Sequence, residues 1–287
     1  MKFEVWPGPM EGVSRPEFVR AVNHLHLVSR WMTPFLRVSD SCYKSKKIKE
    51  FLAPYLESGL PVTAQIMGNK PEILAELAVK CMESGACGIN INCGCPSRRV
   101  ISGLAGGGML KDRKNMLKAV REIRKALGEK TPFSVKMRSG FSDPEEMPVL
   151  LPELAAAGAD KFFIHYRTVQ EQYSAVPGRL ERFITAVTAA SPLPVIINGD
   201  ISSVSEGCDL IARTGAAGVM IARSFMHDPW LLARFADPAS PDPETGRKVF
   251  FETLENFNIS GGNRIELAKM IWGADSGIFR DMLSSHR

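Results

Sequence analysis

Residues 87–99 read Cys-Gly-Ile-Asn-Ile-Asn-Cys-Gly-Cys-Pro-Ser-Arg-Arg, an apolar run that ends in thiols, a proline and a basic loop. The chain then enters a segment of helical periodicity that begins at Asp112 and stops at Gly128. Asp112 is a favourable N-cap and Gly128 a favourable helix stop. A second apolar run follows at 133–138. Strand, helix and strand in this order form the repeating unit of a parallel sheet.

The same alternation extends over most of the chain. Strand-like runs occur at 3–6, 30–35, 62–67, 87–92, 133–138, 161–165, 194–198 and 217–221. Helix-like segments lie between and after them, one of them with Asn69 as the predicted N-cap and Pro71 in the first turn. Eight such units predict a parallel α/β fold, the (β/α)8 TIM barrel. A doubly wound open sheet is the alternative, but no Gly-x-Gly-x-x-Gly sequence follows the first strand.

Composition limits the class of protein. The chain has 287 residues, 45% of them hydrophobic, so it can bury one large core. Its net charge of +5 favours a polyanionic partner without requiring one. The six cysteines are thinly spread and no apolar signal segment opens the sequence, so we expect free thiols and a cytoplasmic protein. No apolar run approaches the roughly 20 residues that cross a bilayer. We expect a monomer without a membrane partner.

A proline-rich segment divides the chain. Residues 237–243 contain three prolines and cannot continue a helix. We therefore predict a barrel over residues 1–237 and a short helical extension over 238–287. The extension should contain two short helices separated by Gly261-Gly262. It is too small for a core of its own, so we expect it to pack on the barrel.

Functional groups of a (β/α)8 barrel lie at the C-terminal ends of its strands. Lys136 is the most informative, because an unpaired ammonium at the mouth of a barrel strand costs several kcal/mol. An anionic ligand is the favoured partner, and a structural carboxylate, Glu11 or Asp200, is the alternative. His165 ends the next strand and is either a ligand contact or a hydrogen-bonded rim residue.

The loops after strands seven and eight predict a phosphate site. They contain Asn198-Gly199-Asp200 and Ala222-Arg223. In many barrels of this type these two loops hold a phosphate through backbone N–H groups. Gly199 permits close backbone approach, and Arg223 offers a planar fork to phosphate oxygens. Ordinary turn chemistry is the alternative for each loop alone.

The cysteines after strand four admit three interpretations. A metal site needs paired clusters such as Cys-x-x-Cys, and Cys93-x-Cys95 has only Cys87 nearby, so we expect no metal. The same spacing disfavours a redox pair. A thiol with a pKa near 8.5 is mostly protonated at neutral pH and can act as a general acid. A buried structural cysteine is the remaining alternative for Cys95.

At these positions the sequence resembles the tRNA-dihydrouridine synthases. The resemblance covers roughly residues 3–236, with about one motif per strand. Its central motif is Asn92-Cys93-Gly94-Cys95-Pro96, followed by Gly106-Gly107-Gly108. The other motifs are Pro9-Met10-Glu11-Gly12, Gln65 within 64–68, Ser134-Val135-Lys136-Met137-Arg138, His165-Tyr166-Arg167-Thr168 and Ile197-Asn198-Gly199-Asp200-Ile201.

The resemblance implies an enzyme that binds FMN and uses NADPH as its reductant. A hydride would pass from FMN N5 to C6 of a uridine in tRNA, and Cys95 would protonate C5. Cys93 is similar to the class C bacterial branch, which acts on a D-loop uridine. The FMN-binding residues implied are Pro9, Met10, Glu11, Gln65, Lys136, His165, Asn198, Gly199, Asp200, Ala222 and Arg223. For the substrate we expect contacts from Asn92, Arg98, Arg99, Arg138 and Arg167.

Two departures from the family pattern bear on function. Ala222 stands where glycine is usual, and its N–H can bind phosphate if its φ angle is negative. The tail is also shorter than the usual tRNA-binding domain. Two other functions remain open at this point: a flavin barrel that reduces a free small molecule of the dihydropyrimidine or dihydroorotate type, and a non-catalytic RNA-binding barrel.

Overall fold

The computed structural model of the protein describes residues 3–257 and 259–284. The strands are β1 (Glu4–Pro7), β2 (Trp31–Arg37), β3 (Val62–Met67), β4 (Gly88–Cys93), β5 (Phe133–Arg138), β6 (Lys161–His165), β7 (Val195–Asn198) and β8 (Gly218–Ile221). They form one parallel sheet in the order β1-β8-β7-β6-β5-β4-β3-β2. Its two end strands, β1 and β2, contact each other, so the sheet curls round as a barrel. The predicted (β/α)8 architecture is confirmed.

Helices follow the strands along the chain. The barrel helices are α1 (Pro16–His24), α2 (Ser45–Leu56), α3 (Pro71–Glu83), α4 (Arg98–Ile101), α5 (Arg113–Leu127), α6 (Glu146–Ala156), α7 (Arg179–Ala190), α8 (Val204–Thr214), α9 (Arg223–His227) and α10 (Leu231–Arg234). After them come α11 (Pro243–Glu255), α12 (Gly261–Trp272) and α13 (Gly277–Ser284).

Helix capping confirms one sequence prediction and corrects another. The Asp112 side chain accepts a hydrogen bond from the Asn115 N–H, and Gly128 ends α5 with a φ angle of +72°. At α3, however, the N-cap is Lys70, so the prediction of Asn69 was wrong. The Asn69 amide instead donates to the Gly103 carbonyl, and its own carbonyl accepts from Asn115. Asn69 therefore ties α3 to the loop that follows β4.

The connection from β4 to α5 is structured. It contains α4 and a 3-10 segment, Gly106–Lys111, whose first five residues are buried. A Cβ atom on Gly106 would lie 3.0 Å from Cys95 Cβ, and one on Gly107 would lie 2.8 Å from the Cys95 carbonyl oxygen. The glycine run therefore packs directly against Cys95 and holds it in place.

The N-terminal end of the barrel is closed by a charged cluster. Glu4 accepts hydrogen bonds from Lys161 Nζ at 2.7 Å, Arg30 Nη1 at 2.7 Å and Trp6 Nε1 at 2.8 Å. The Trp6 ring packs edge-on against Phe163, with 5.1 Å between ring centroids. This plug leaves the C-terminal end of the strands as the open end of the barrel.

The C-terminal extension packs on the barrel as predicted, but it has three helices among the described residues. Phe250 of α11 contacts Phe18 of α1, with 5.4 Å between ring centroids, and Arg15 forms an ion pair with Glu266 of α12 at 2.8 Å. Gly261 and Gly262 do not separate two helices, because they form the first turn of α12. The division at residue 237 into two domains remains a prediction.

Candidate active site

A cavity of about 880 Å³ opens at the C-terminal ends of the strands. Fourteen of the residues predicted for the site line it: Pro9, Met10, Glu11, Gln65, Asn92, Cys95, Lys136, Arg138, His165, Asn198, Gly199, Asp200, Ala222 and Arg223. They come from all parts of the barrel, since the parallel strands bring their C-terminal ends to one rim. Arg98, Arg99 and Arg167 were also predicted for the site and do not line the cavity.

Cys95 is held at the cavity by a chain of amide side chains. Asn92 Oδ1 accepts from the backbone N–H groups of Gly94 at 3.0 Å and Cys95 at 3.1 Å. The Asn92 amide nitrogen donates to Gln65 Oε1 at 2.9 Å, and Gln65 in turn donates to Asn90 at 2.8 Å. Asn92 thus orients the thiol loop in addition to lining the cavity.

The two neighbouring cysteines differ in environment. Cys93 is fully buried, its sulfur lies 3.7 Å from Met109 Sδ, and burial raises the pKa of its thiol. Cys95 is half-buried and lines the cavity. Of the two, Cys95 is therefore the thiol that a ligand in the cavity can reach.

Lys136 faces the cavity without a protein counter-charge. No carboxylate lies within 4.0 Å of its ammonium among residues 3–257 and 259–284, and no hydrogen bond joins it to them. Burial, aided by the positive charge of Arg138, lowers its pKa from 10.5 to about 8, against a smaller opposing effect of Cys95. A structural carboxylate, the alternative raised by the sequence, is not what neutralises this lysine. The site suits an anionic ligand.

His165 is a neutral imidazole. Burial lowers its pKa well below 6.5, and the positive charges of Arg138 and Lys136 lower it further. Its Nδ1 atom accepts a hydrogen bond from the backbone N–H of Arg167 at 3.2 Å. The proton of the neutral ring therefore belongs on Nε2, which leaves an N–H donor for a ligand.

Asp200 organises the predicted phosphate end of the cavity. Its Oδ2 atom accepts from Arg167 Nη2 at 2.5 Å and from the Tyr166 hydroxyl at 2.8 Å, and its Oδ1 accepts from Arg223 Nη2 at 2.5 Å. These partners outweigh its partial burial and hold its pKa at about 2. Arg223 is thus fixed at the cavity wall by an ionised carboxylate.

Ala222 meets the condition set by the sequence. Its φ angle is −113° and therefore negative, which is the condition under which its N–H can bind phosphate. The methyl group is accommodated because its neighbour is Gly8, where a Cβ atom would lie 2.5 Å from Ala222 Cβ. Glycine at position 8 therefore makes room for alanine at position 222.

The three predicted site arginines that do not line the cavity occupy two different environments. Arg98 and Arg99 are exposed on α4, beside the thiol loop and outside the cavity. Arg167 is 3% exposed and donates to Asp200 and to the Ser174 carbonyl. Its side chain positions Asp200. A contact between Arg167 and the substrate stays a prediction.

Tyr173 is a cavity residue that the sequence analysis missed. It lies in the loop after β6, is 59% exposed, and is flanked by the guanidinium groups of Arg138 and Arg223 at 5.5 and 5.3 Å from its ring centroid. Arg138 also donates to the carbonyls of Gly94 and Gln172, which joins the thiol loop to the Tyr173 loop. The sequence feature that could have indicated Tyr173 is an aromatic residue in the loop just beyond the His165 motif.

Comparison with solved structures first defines the class of fold. A morphinone reductase mutant in complex with tetrahydroNAD superposes with a TM-score of 0.60 at 12% identity, over 84% of this chain and 89% of that one. A complex of 2-naphthoyl-CoA reductase gives a TM-score of 0.65 at 11% identity, over 88% of this chain and 53% of that one. Both similarities concern the barrel fold alone.

Sequence comparison then gives the family. The family model described as dihydrouridine synthase (Dus) matches residues 7–257. The tRNA-dihydrouridine(16) synthase of Haemophilus influenzae is 32% identical over 230 residues, which cover 77% of this chain and 73% of the relative. The enzyme of the same name from Escherichia coli K12 is 31% identical over 247 residues, covering 82% and 77%. The chain therefore belongs to the dihydrouridine synthase family of oxidoreductases, as its motifs predicted.

None of the helices in the described ranges is long and apolar enough to cross a membrane. Within residues 3–257 and 259–284, no group of three or more His, Cys, Asp or Glu side chains is arranged to hold a metal ion.

Proposed function

We propose that the protein reduces a uridine in tRNA to 5,6-dihydrouridine, with bound FMN as its cofactor and NADPH as the reductant. The observation that carries this proposal is Lys136, a desolvated ammonium without a protein counter-charge, in the same cavity as Cys95. Family membership supports the reaction. The names of the relatives, tRNA-dihydrouridine(16) synthase, support position 16 in the D loop as the target.

The residues of the cavity fit FMN. The volume of about 880 Å³ lies within the usual range for cofactor sites. Lys136 would face the electron-rich edge of the isoalloxazine ring, and the Nε2–H of His165 would donate to an acceptor on the cofactor. The Asn198–Asp200 turn, Ala222 and Arg223 would hold the phosphate. An anionic ring or phosphate would neutralise the unpaired charge of Lys136, for which the described residues provide no carboxylate.

The chemistry divides between cofactor and protein. When bound, reduced FMN would supply the hydride that C6 of the uracil ring receives. Cys95 would hold the proton for C5, since its thiol lines the cavity and Asn92 fixes its backbone through Gly94 and Cys95 N–H groups. Arg138 would keep the thiol loop and the Tyr173 loop at a fixed distance, and Tyr173 offers an exposed ring at the cavity mouth.

The uridine must leave its stack to reach Cys95. Basic side chains outside the cavity would hold the tRNA backbone while it does so, and Arg98 and Arg99 on α4 are exposed beside the thiol loop. The six cysteines are all free, which fits the reducing cytoplasm where we place this reaction.

Dihydrouridine mapping tests the proposed function. tRNA from a strain that lacks this gene should carry uridine at position 16, and the purified enzyme with NADPH should convert it to dihydrouridine. A purified protein without flavin absorbance would contradict the cofactor. Reduction of free uridine nucleotides as readily as tRNA would instead favour a small-molecule oxidoreductase.

A further inference from the structure

The two carboxylate oxygens of Asp200 accept hydrogen bonds from different partners. Oδ1 accepts from Arg223, whose side chain is 58% exposed at the cavity wall. Oδ2 accepts from Arg167 and from the Tyr166 hydroxyl at 2.8 Å. Among the described residues, Asp200 is the sole hydrogen-bond acceptor for the Arg223 guanidinium. The direction in which Arg223 points therefore depends on how firmly Asp200 is held.

Tyr166 supports this turn with its ring as well as its hydroxyl. The ring is 3% exposed and stacks on His165, with 5.5 Å between centroids and 8° between planes. A Cβ atom on Gly199 would lie 2.7 Å from Tyr166 Cδ1. Gly199 and Asp200 have φ angles of +127° and +51°, a conformation that a residue such as Asp rarely adopts without support.

We propose that Tyr166 is a positioning residue for phosphate binding: through Asp200 it fixes Arg223 at the place where the FMN phosphate is held. This rests on the proposed function, since it takes FMN as the ligand. Tyr166 lies behind the turn, does not line the cavity, and would not touch the phosphate. Its effect on the cofactor is transmitted by the Oδ2 hydrogen bond and by the carboxylate of Asp200.

Arg167 alone would fix Asp200 less well. One guanidinium nitrogen of Arg167 meets Oδ2, while its Nε donates to the Ser174 carbonyl. The Tyr166 hydroxyl provides a second donor to the same oxygen, and two donors define the orientation of a carboxylate better than one. Loss of the hydroxyl should let the carboxylate rotate and Arg223 move with it.

Riboflavin provides the decisive comparison, because it has the ring of FMN without the phosphate. Tyr166→Phe keeps the ring that packs under Gly199 and removes the hydroxyl. We expect it to weaken FMN binding to the apoprotein by about tenfold, as for loss of a hydrogen bond to a charged group, and riboflavin binding by less than about twofold. Tyr43→Phe, which removes a hydroxyl donating to the Arg37 carbonyl outside the cavity, is the matched control.

A double-mutant cycle tests the route through Asp200. In an Asp200→Asn background, Tyr166→Phe should change FMN affinity by less than about twofold. A full tenfold loss in that background, or equal losses of FMN and riboflavin affinity in Tyr166→Phe, would overturn the positioning role. If wild-type protein binds FMN more tightly than riboflavin and Tyr166→Phe keeps the same preference, the positioning role alone is overturned. Wild-type protein that binds no flavin would overturn the proposed function as well.

Discussion

Replacing Lys136 by Met should stabilise the cofactor-free protein while it weakens flavin binding. Burial lowers the pKa of Lys136 from 10.5 to about 8. A difference of about 2.5 pKa units corresponds to roughly 3 kcal/mol, at about 1.4 kcal/mol per unit. The folded apoprotein bears this cost at neutral pH, where the lysine is charged in both the folded and unfolded states. Met keeps the length of the side chain and removes the charge.

The contribution of Lys136 to the free energy of unfolding should depend on pH. Between pH 8 and 10.5 the unfolded chain binds more protons at this lysine than the folded protein does, so the free energy of unfolding contributed by Lys136 rises with pH across that window. Urea unfolding of the wild-type and Lys136→Met apoproteins at pH 7 and at pH 10 measures this change in the free energy of unfolding. Lys136→Met should be more stable than wild type by up to about 3 kcal/mol at pH 7, and the difference should shrink towards pH 10.

Lys161→Met is the control for this comparison. Lys161 begins a neighbouring strand and is paired with Glu4 at 2.7 Å, so its removal should destabilise the protein. If Lys136→Met were also destabilised at pH 7, or if its difference from wild type did not change with pH, the argument that Lys136 is an unpaired buried charge would be refuted.

Three further results are expected. FMN affinity of the apoprotein should fall above pH 8, by up to about tenfold per pH unit, because Lys136 must be protonated to face an anion. Titrations with FMN at pH 7 to 9.5 measure this fall, and the affinity of Lys136→Met should not show it. Asn92→Ala, which removes the acceptor for Gly94 and Cys95, should lower single-turnover reduction by about tenfold with FMN retained; unchanged reduction would contradict the role of Asn92. Gly107→Ala should lower the free energy of unfolding in urea by about 1–3 kcal/mol, because its Cβ would lie 2.8 Å from the Cys95 carbonyl oxygen. Gly262→Ala has open space around its Cβ and should not destabilise the protein.

The barrel and most of the cavity could be predicted because they depend on local pattern. Alternating strand and helix periodicity gives eight units, and the rule that parallel strands end at one rim brings Lys136, His165 and Cys95 together without any knowledge of contacts. Strand limits differ from the prediction by two residues at most. Within β2, Pro34 lacks an N–H, and the register with β3 shifts between Met32 and Phe35, which the pattern of apolar residues does not show.

What could not be predicted depends on contacts between distant residues. Arg167 turns to Asp200, a residue 33 positions further along the chain, and no local pattern indicates this choice. Asn69 was expected to cap α3 because its residue type suits a cap, but the helix begins one residue later, after Lys70, and the Asn69 amide donates to the Gly103 carbonyl. The sequence also does not show what the glycine run packs against, whereas the structure places Cys95 and Val169 so close to Gly107 that a side chain there would clash.

The most direct test of the central claim is a single-turnover reaction of the reduced, FMN-loaded enzyme with unmodified tRNA. Wild-type protein and Cys87→Ser, which alters an exposed cysteine, should form dihydrouridine at the same rate. Cys95→Ala should keep its FMN but form product at least about 100-fold more slowly, because the general acid is missing. Equal product formation by Cys95→Ala would contradict the account of this cavity as a site where Cys95 completes the reduction of uridine.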